Sequence, residues 1–103
     1  MPRLKAKRYS NVEMSFVSMD DALTESATVI SRAGEMVIEI SDGQRISYLV
    51  IGKLRGQSYF GTNSAFGDVP RVKASWTQLS GKYIGRWIED EEEYLFSFTL
   101  SDD

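Results

Sequence analysis

Strict alternation of apolar and polar residues is the feature that most constrains the fold of this 103-residue chain. It recurs in four separate segments, at residues 35–40, 45–50, 71–76 and 94–100. Within each segment the apolar side chains stand two residues apart, as in Tyr94, Phe96 and Phe98. Because successive side chains of a β-strand point to opposite faces, this spacing predicts strands that each turn one face toward a shared core.

Turns that contain glycine separate these segments and suggest how the strands pair. A three-residue loop at residues 41–43 would place Ile38 opposite Ile46 and Glu39 opposite Arg45, an opposite-charge pair across the strands. A two-residue loop would set an apolar residue against Arg45 on the core face. Since a slip of one residue moves every side chain to the other face, the pattern favours the three-residue loop.

Two more loops of the same kind and two tighter turns complete the predicted pairing. The three-residue loops at 32–34 and 54–56 pair Ile30 with Met36 and Val50 with Phe60. The tight turns at Ser80–Gly81 and Asp90–Glu91 set Trp76 against Gly85, Trp87 against Ala74 and Tyr94, and Phe96 against Gly85. In the two tight hairpins large rings lie mostly beside small neighbours, which avoids both voids and clashes.

The N-terminal third carries a weaker signal. Val12, Met14 and Phe16 alternate as in a strand. Residues 20–32 are ambiguous, because apolar residues there occur at helical spacing while Thr28, Val29 and Ile30 form a β-branched run that favours a strand. We expect a strand from about residue 26 to 32, preceded by a loop or one helical turn at residues 20–25.

Together these segments predict an all-β fold of seven or eight antiparallel strands that follow one another in an up-and-down meander. Such an order favours a small barrel that is closed or nearly closed, because closure removes the exposed edge strands. A two-sheet β-sandwich is the alternative. We expect a basic, flexible tail at residues 1–8 and one domain over residues 9–103, a size typical of single domains.

The sequence contains no cysteine and no histidine. This excludes disulfides, thiolate nucleophiles and the imidazole groups that most often act as acids, bases and metal ligands. The carboxylate run at residues 89–93 lacks the spaced ligands of a calcium loop. We therefore expect no enzyme, no metal site and no cofactor.

Charge and hydropathy patterning limit the partners and the location. The formal net charge is −3, whereas nucleic-acid-binding domains are usually strongly basic, so we expect no nucleic-acid partner. No apolar run approaches the roughly 20 residues that cross a bilayer, and the N-terminus lacks the apolar region of a secretory signal. These observations predict no membrane contact and, by default, a cytoplasmic location.

Two sets of residues are candidates for binding. The predicted registers bring several aromatic side chains to one face, where they either fill the core or line a cavity for a small planar or amphipathic ligand. The candidate ligand-binding residues are Tyr48, Trp76, Tyr83, Trp87 and Tyr94. A second set, on outer faces, in the long connection at residues 61–70 and in the acidic turn, would form an interaction surface. Its members are Leu49, Ile51, Phe66, Leu95, Glu91 and Glu92.

The function that these observations favour is that of a non-catalytic binding module. A protein-interaction domain, with a protein partner or a second copy of the chain, comes first because the predicted interior is crowded with large side chains. A small-ligand barrel with an aromatic-lined cavity is the alternative, and an enzyme based on carboxylate or tyrosine chemistry is a weaker one. A ligand barrel needs an empty cavity, whereas an interaction domain needs an exposed patch and tolerates a solid core.

Overall fold

Eight antiparallel strands follow one another around a closed barrel in the computed structural model of the chain, which describes residues 6–41, 46–63 and 71–101. The strands are β1 Lys7–Val17, β2 Ala22–Arg32, β3 Glu35–Ser41, β4 Ile46–Arg55, β5 Ser58–Asn63, β6 Val72–Leu79, β7 Lys82–Glu89 and β8 Glu92–Phe98. Because β8 pairs with β1, the closed barrel is confirmed and the two-sheet sandwich is excluded.

The two tight hairpins of the C-terminal half have the predicted registers. Trp76 lies opposite Gly85, and Trp87 lies opposite both Ala74 and Tyr94. Ser80 and Gly81 take φ angles of 52° and 81°. Such positive φ values at both central residues define the two-residue turn whose twist matches that of the flanking strands.

The predicted three-residue loop between β2 and β3 is wrong, because the turn consists of Ala33 and Gly34 alone. Arg32 pairs with Glu35, so Val29 rather than Ile30 shares the inner face with Ile38. Val29 is fully buried, while Ile30 turns outward. Gly34 has a φ of 76°, which permits the tighter turn.

The predicted loop between β4 and β5 is wrong for the same reason. Arg55 pairs with Ser58, which leaves only Gly56 and Gln57 in the turn. Phe60 consequently lies opposite Lys53 on the outside of the barrel, where 52% of its surface is exposed. Loop length therefore decides which face each side chain of β5 occupies.

The register between β3 and β4 also differs from the prediction. Ile38 pairs with Val50 and Glu39 with Leu49, instead of Ile46 and Arg45. The shift amounts to four residues, an even number, so Ile38 keeps its place on the core side. Residues 42–45, which include the predicted loop residues Asp42 and Gly43, lie outside the described residues.

The ambiguous segment of the N-terminal third is a strand. β2 begins at Ala22, four residues before the predicted start, and only a short turn separates it from β1. The Ser18 hydroxyl accepts a hydrogen bond from the backbone N–H of Asp21 at 3.1 Å, and the Ser18 N–H donates to the Asp21 carbonyl at 2.8 Å. These bonds stabilise a turn, so the segment needs neither a long loop nor a helical turn.

β1 carries an irregularity at Asn11, whose φ is 58°. The pairing with β2 shifts between Tyr9 and Val12, so that Tyr9 on one side of this bulge and Val12 on the other both pack against the core. β1 begins at Lys7, within the range predicted as a tail. Residues 1–5 lie outside the described residues.

Large side chains fill the barrel interior. Trp76, Phe96 and Phe98 are each no more than 2% exposed. Trp76 stacks on Tyr59 and meets Phe96 edge to face, with centroids 5.7 and 5.9 Å away. These close-packed rings occupy the centre of the barrel among the described residues, as is usual for a barrel of eight strands. Within the described residues, no helix has the length and apolarity needed to cross a membrane.

Candidate functional site

A cleft of about 180 Å³ opens at the end of the barrel where β3 and β7 end and β4 and β8 begin. Six of the eight strands lie within reach of it through side chains that point inward near their ends. The cleft is lined by Phe16, Leu23, Glu25, Ile40, Tyr48, Trp87, Glu89 and Tyr94. We refer to this set as the mouth cleft.

Glu89 is the polar residue at the centre of the mouth cleft. Strand alternation places Trp87 and Glu89 on the same inner face of β7. The Tyr48 hydroxyl donates a hydrogen bond of 2.6 Å to Glu89 Oε2, and Trp87 Nε1–H donates one of 3.2 Å to Oε1. Both carboxylate oxygens are therefore held by donors, and the side chain has a defined orientation.

Aromatic rings stand at nearly right angles to one another around this carboxylate. Trp87 meets Phe16 with centroids 5.2 Å apart and an interplanar angle of 79°, and Tyr48 at 5.8 Å and 83°. Phe16 and Tyr94 are perpendicular, at 6.3 Å. Edge-to-face contacts of this kind stabilise the positions of the rings by more than the burial of their surface area alone would. The mouth cleft is thus a preformed group of rings around a fixed negative charge.

The surroundings of Tyr48 favour its neutral form. Burial, then the hydrogen bond to Glu89, then the charges of Glu89, Asp90 and Glu25 raise the pKa of Tyr48 far above its ordinary value. The hydroxyl therefore stays protonated and remains a donor to Glu89 throughout the physiological range.

Tyr48→Phe is expected to weaken the loss of stability at alkaline pH. The raised pKa contributes stability that is fully present below pH 10 and is lost as pH rises through the folded-state pKa. The phenylalanine variant lacks this titration, so its unfolding free energy should fall less steeply above pH 10. A group that titrates only in the unfolded state changes the unfolding free energy by roughly 1.4 kcal/mol per pH unit. The difference between the two proteins should be smaller than this, because the cleft is open to water. Urea unfolding between pH 8 and about 11 measures it, and parallel curves for both proteins would contradict the assignment.

The five predicted ligand-binding residues do not form one wall. Tyr48, Trp87 and Tyr94 do line the mouth cleft. Trp76 belongs to the core, where Nε1–H points at the Met36 sulfur at 3.2 Å. Tyr83 lies at the opposite end of the barrel and stacks on Phe98 at 5.0 Å. All five side chains point into the barrel, but they lie at different heights along the barrel axis and therefore do not meet at one site.

Sequence reasoning missed five residues that line the cleft; one of them, Ile40, is recognised from the sequence only as a strand residue. Leu23 and Glu25 fall in the loop or helical turn predicted at residues 20–25, because the predicted strand starts four residues later than β2 does. Phe16 was recognised only as a strand residue. Glu89 was counted within the acidic run, although its position two residues after Trp87 on one strand carries the signal of an inward side chain.

The predicted interaction residues do not form one surface either. Ile51 and Leu95 are exposed by 38% and 58%, while Leu49 is partly buried. Leu49 and Ile51 lie on β4 and Leu95 on β8, which are on opposite sides of an eight-stranded barrel. Phe66 lies outside the described residues.

Leu95 instead belongs to a different exposed patch. It pairs with Val17, which is 49% exposed, and Met19 in the following turn is fully exposed. A shallow groove joins these three side chains to the neighbouring carboxylates. We call this set the acidic-apolar surface; it consists of Val17, Met19, Leu95, Asp20, Glu91, Glu92 and Glu93. It contains both glutamates predicted for an interaction surface.

Solved structures with this fold are known. The chain superposes on a surface lipoprotein with a TM-score of 0.63 and 12% identity over 94% of this chain and 62% of that one. It superposes on a double mutant of transferrin binding protein B from Haemophilus parasuis with a TM-score of 0.63 and 14% identity, over 99% of this chain and 31% of that one. Intact Ap-TbpB, with its N and C lobes, gives 0.55 and 11% over 98% and 30%.

These likenesses are confined to the fold, since identity is low. The chain spans under two thirds of the surface lipoprotein and about a third of each transferrin-binding protein. No protein-family profile matches the sequence. No curated protein matches it either.

The expected cytoplasmic location is contradicted by the comparison, because one of the proteins that share the fold is a surface lipoprotein. The expectation rested on the lack of a leader and of an apolar run. Such a default carries no weight for a chain that corresponds to only part of its structural relatives.

Proposed function

We propose that this barrel is a non-catalytic protein-interaction domain, and that the acidic-apolar surface docks a basic, partly apolar segment of a partner protein. The observation that carries the proposal is the exposure of Val17, Met19 and Leu95 side by side next to carboxylates, on a barrel whose interior is filled. Contiguous apolar side chains with a polar rim are typical of interaction sites.

Charge decides which partner fits this surface. Asp20, Glu91, Glu92 and Glu93 border the apolar side chains, and Glu93 forms an ion pair of 3.6 Å with Arg86. A second copy docking by the same surface would bring like charges together, since a two-fold interface apposes identical patches. A partner with lysine or arginine beside apolar residues complements both features.

The similar structures are in keeping with a binding role. One of them is named for binding transferrin, which is a protein. A barrel for storing a small ligand is less well supported, because the mouth cleft of about 180 Å³ is smaller than the roughly 300–1,000 Å³ of pockets that enclose a drug-sized molecule.

Site-specific photo-cross-linking tests the proposal. A photoreactive amino acid at Leu95 is expected to capture a partner through a basic segment in cells of the source organism. The same group at Leu79, which is 57% exposed at the opposite end of the barrel, is the matched control and should not capture it. The double variant Glu91→Lys, Glu92→Lys should lower the yield by about tenfold, as expected for a loss of 1.4 kcal/mol.

Three outcomes would overturn the proposal. One is equal capture from Leu79, which would indicate non-specific contact. The second is capture mainly of another copy of this chain, or no capture from Leu95. The third is a yield that the charge-reversed variant leaves unchanged, since the docking surface would then owe nothing to its carboxylates.

A further inference from the structure

We propose that the mouth cleft binds an organic cation, with a preference for the methylated ammonium group of a small molecule. This site is separate from the acidic-apolar surface, and the inference does not depend on the function proposed for that surface. It rests on three features of the cleft: its aromatic walls, its negative charge, which no described lining residue neutralises, and its size.

The aromatic walls suit a cation. Phe16, Tyr48, Trp87 and Tyr94 line the cleft from four different strands, and neighbouring rings meet at 79° to 90°. A cation near an aromatic face is attracted by the ring quadrupole, and groups of rings around a shared space are used to bind quaternary ammonium groups. Because the rings pack edge to face, this arrangement exists before a ligand arrives.

The cleft also holds negative charge without a basic partner among its lining residues. Glu25 and Glu89 both line it, and no lysine or arginine does among the residues that the structure describes, which leave out 42–45 and 64–70. Tyr48 and Trp87 each donate a hydrogen bond to Glu89. These donors orient the carboxylate but do not neutralise it. The charge is therefore available to a ligand, in a site where partial burial weakens the screening by water.

The same hydrogen bonds favour a methylated ammonium group over a metal ion. Each oxygen of Glu89 already accepts one bond, and a hard metal ion needs about six or more oxygen ligands. In the part of the chain that the structure describes, no group of three or more acidic residues is placed to hold a metal. A methylated ammonium group has few or no N–H donors to satisfy, so charge and ring contacts suffice.

The volume limits what enters. About 180 Å³ accommodates a head group but not a large molecule. The floor is closed, because Phe96 packs beneath Phe16 and Trp87 at 5.6 and 5.5 Å. We therefore expect the charged end of the ligand to enter the cleft while the rest of the molecule stays in solvent.

Titration with choline chloride, followed by NMR of the two indole N–H signals, tests the proposal. The signal of Trp87, identified with the variant Trp87→Phe, should shift and saturate. The signal of Trp76 should change little, because its side chain is 1% exposed. The neutral carbon analogue 3,3-dimethylbutan-1-ol should bind at least about tenfold more weakly, which corresponds to 1.4 kcal/mol of charge-dependent attraction. Sodium chloride at equal concentration should give no saturable shift.

Single glutamine variants test which carboxylate attracts choline. Glu89→Gln removes the charge while its amide oxygen still accepts from Trp87 Nε1–H and its amide nitrogen donates to the Tyr48 hydroxyl oxygen, and it should weaken choline binding by about tenfold. Glu25→Gln, on a different strand, provides a second test in case the first variant fails to fold. Glu93→Gln is the control, because this exposed glutamate lies on the outside, paired with Arg86, and should leave binding unchanged.

The proposal is overturned by any of three results. The first is the absence of a saturable Trp87 shift at about 100 mM choline, a concentration that would reveal millimolar affinity. The second is equal binding of the neutral analogue, which would make the cleft simply apolar. The third is unchanged binding in both folded cleft variants. None of these results bears on cross-linking from Leu95, so the two proposals fail independently.

Discussion

Replacing Trp76 with alanine is expected to lower the free energy of unfolding by about 3–5 kcal/mol, the range for truncating a fully buried aromatic side chain. Trp76 is 1% exposed and contacts Tyr59 and Phe96 through its rings. Truncation removes these contacts and leaves a cavity that the rigid barrel wall cannot collapse to fill. Urea unfolding followed by far-UV circular dichroism measures the loss.

Phe60→Ala is the matched control for this experiment. Phe60 is also aromatic and lies on the neighbouring strand, but 52% of its surface is exposed. Its replacement should change the unfolding free energy by no more than about 0.5 kcal/mol. The register expected from the sequence alone places Phe60 inside, so a loss similar to that of Trp76→Ala would contradict the observed pairing of β4 with β5.

Gly85→Ala is the second change with a large expected effect. A Cβ atom at this position would overlap the backbone of Ser75 and Trp76 on β6, including a distance of 2.7 Å to the Cα of Trp76. The new Cβ atom, which is fixed to the backbone of β7, meets backbone atoms of β6, so no rotation of a side chain relieves the clash. We expect a loss of about 3 kcal/mol or more, at or above the upper end of the usual cost of overpacking.

Gly34→Ala separates this steric effect from the general cost of replacing a glycine. Gly34 has a φ of 76°, and a Cβ atom there would meet nothing within 4 Å. The alanine would only have to adopt the left-handed backbone conformation of Gly34, which costs about 1–2 kcal/mol. Thermal and urea unfolding of both variants should therefore rank Gly85→Ala as clearly more damaging, and the reverse order would contradict the close approach of β6 and β7.

Part of the candidate site was accessible from the sequence. The turn at Asp90–Glu91 predicts that Trp87 and Tyr94 lie side by side on β7 and β8, and this register is confirmed. Tyr48 was assigned to the inner face by alternation alone. Glu25 was missed because the start of β2 carries no local signal, and the strand is extended there by its pairing with β1.

The registers of the two C-terminal hairpins follow from their two-residue turns, whereas the three-residue loop that the pattern favours at residues 41–43 gives the wrong register. At Ser80–Gly81 a two-residue turn sets Trp76 beside Gly85 and Trp87 beside Ala74. At residues 32–34 both two- and three-residue loops keep apolar residues paired, so local pattern does not choose between them. At the turn between β4 and β5 the observed pairing sets Phe60 against Lys53, against the apolar pairing that the pattern predicts. The choice falls to the whole barrel, because each strand must match two neighbours at once and closure links all eight registers.

The sequence favours a closed barrel over a sandwich, and the pairing of β8 with β1 decides between them. Alternation and glycine turns in the sequence determined by themselves that this chain is all-β and that its strands follow one another as neighbours. These are local properties, since side-chain period and turn geometry act over a few residues. Only the tertiary structure decided the height of each side chain along the barrel axis. The height of a side chain depends on the registers of all the strands between it and its neighbours, many of them far apart in sequence. It separates Trp76 and Tyr83 from the mouth cleft. It also brings Glu25, Tyr48 and Glu89 together.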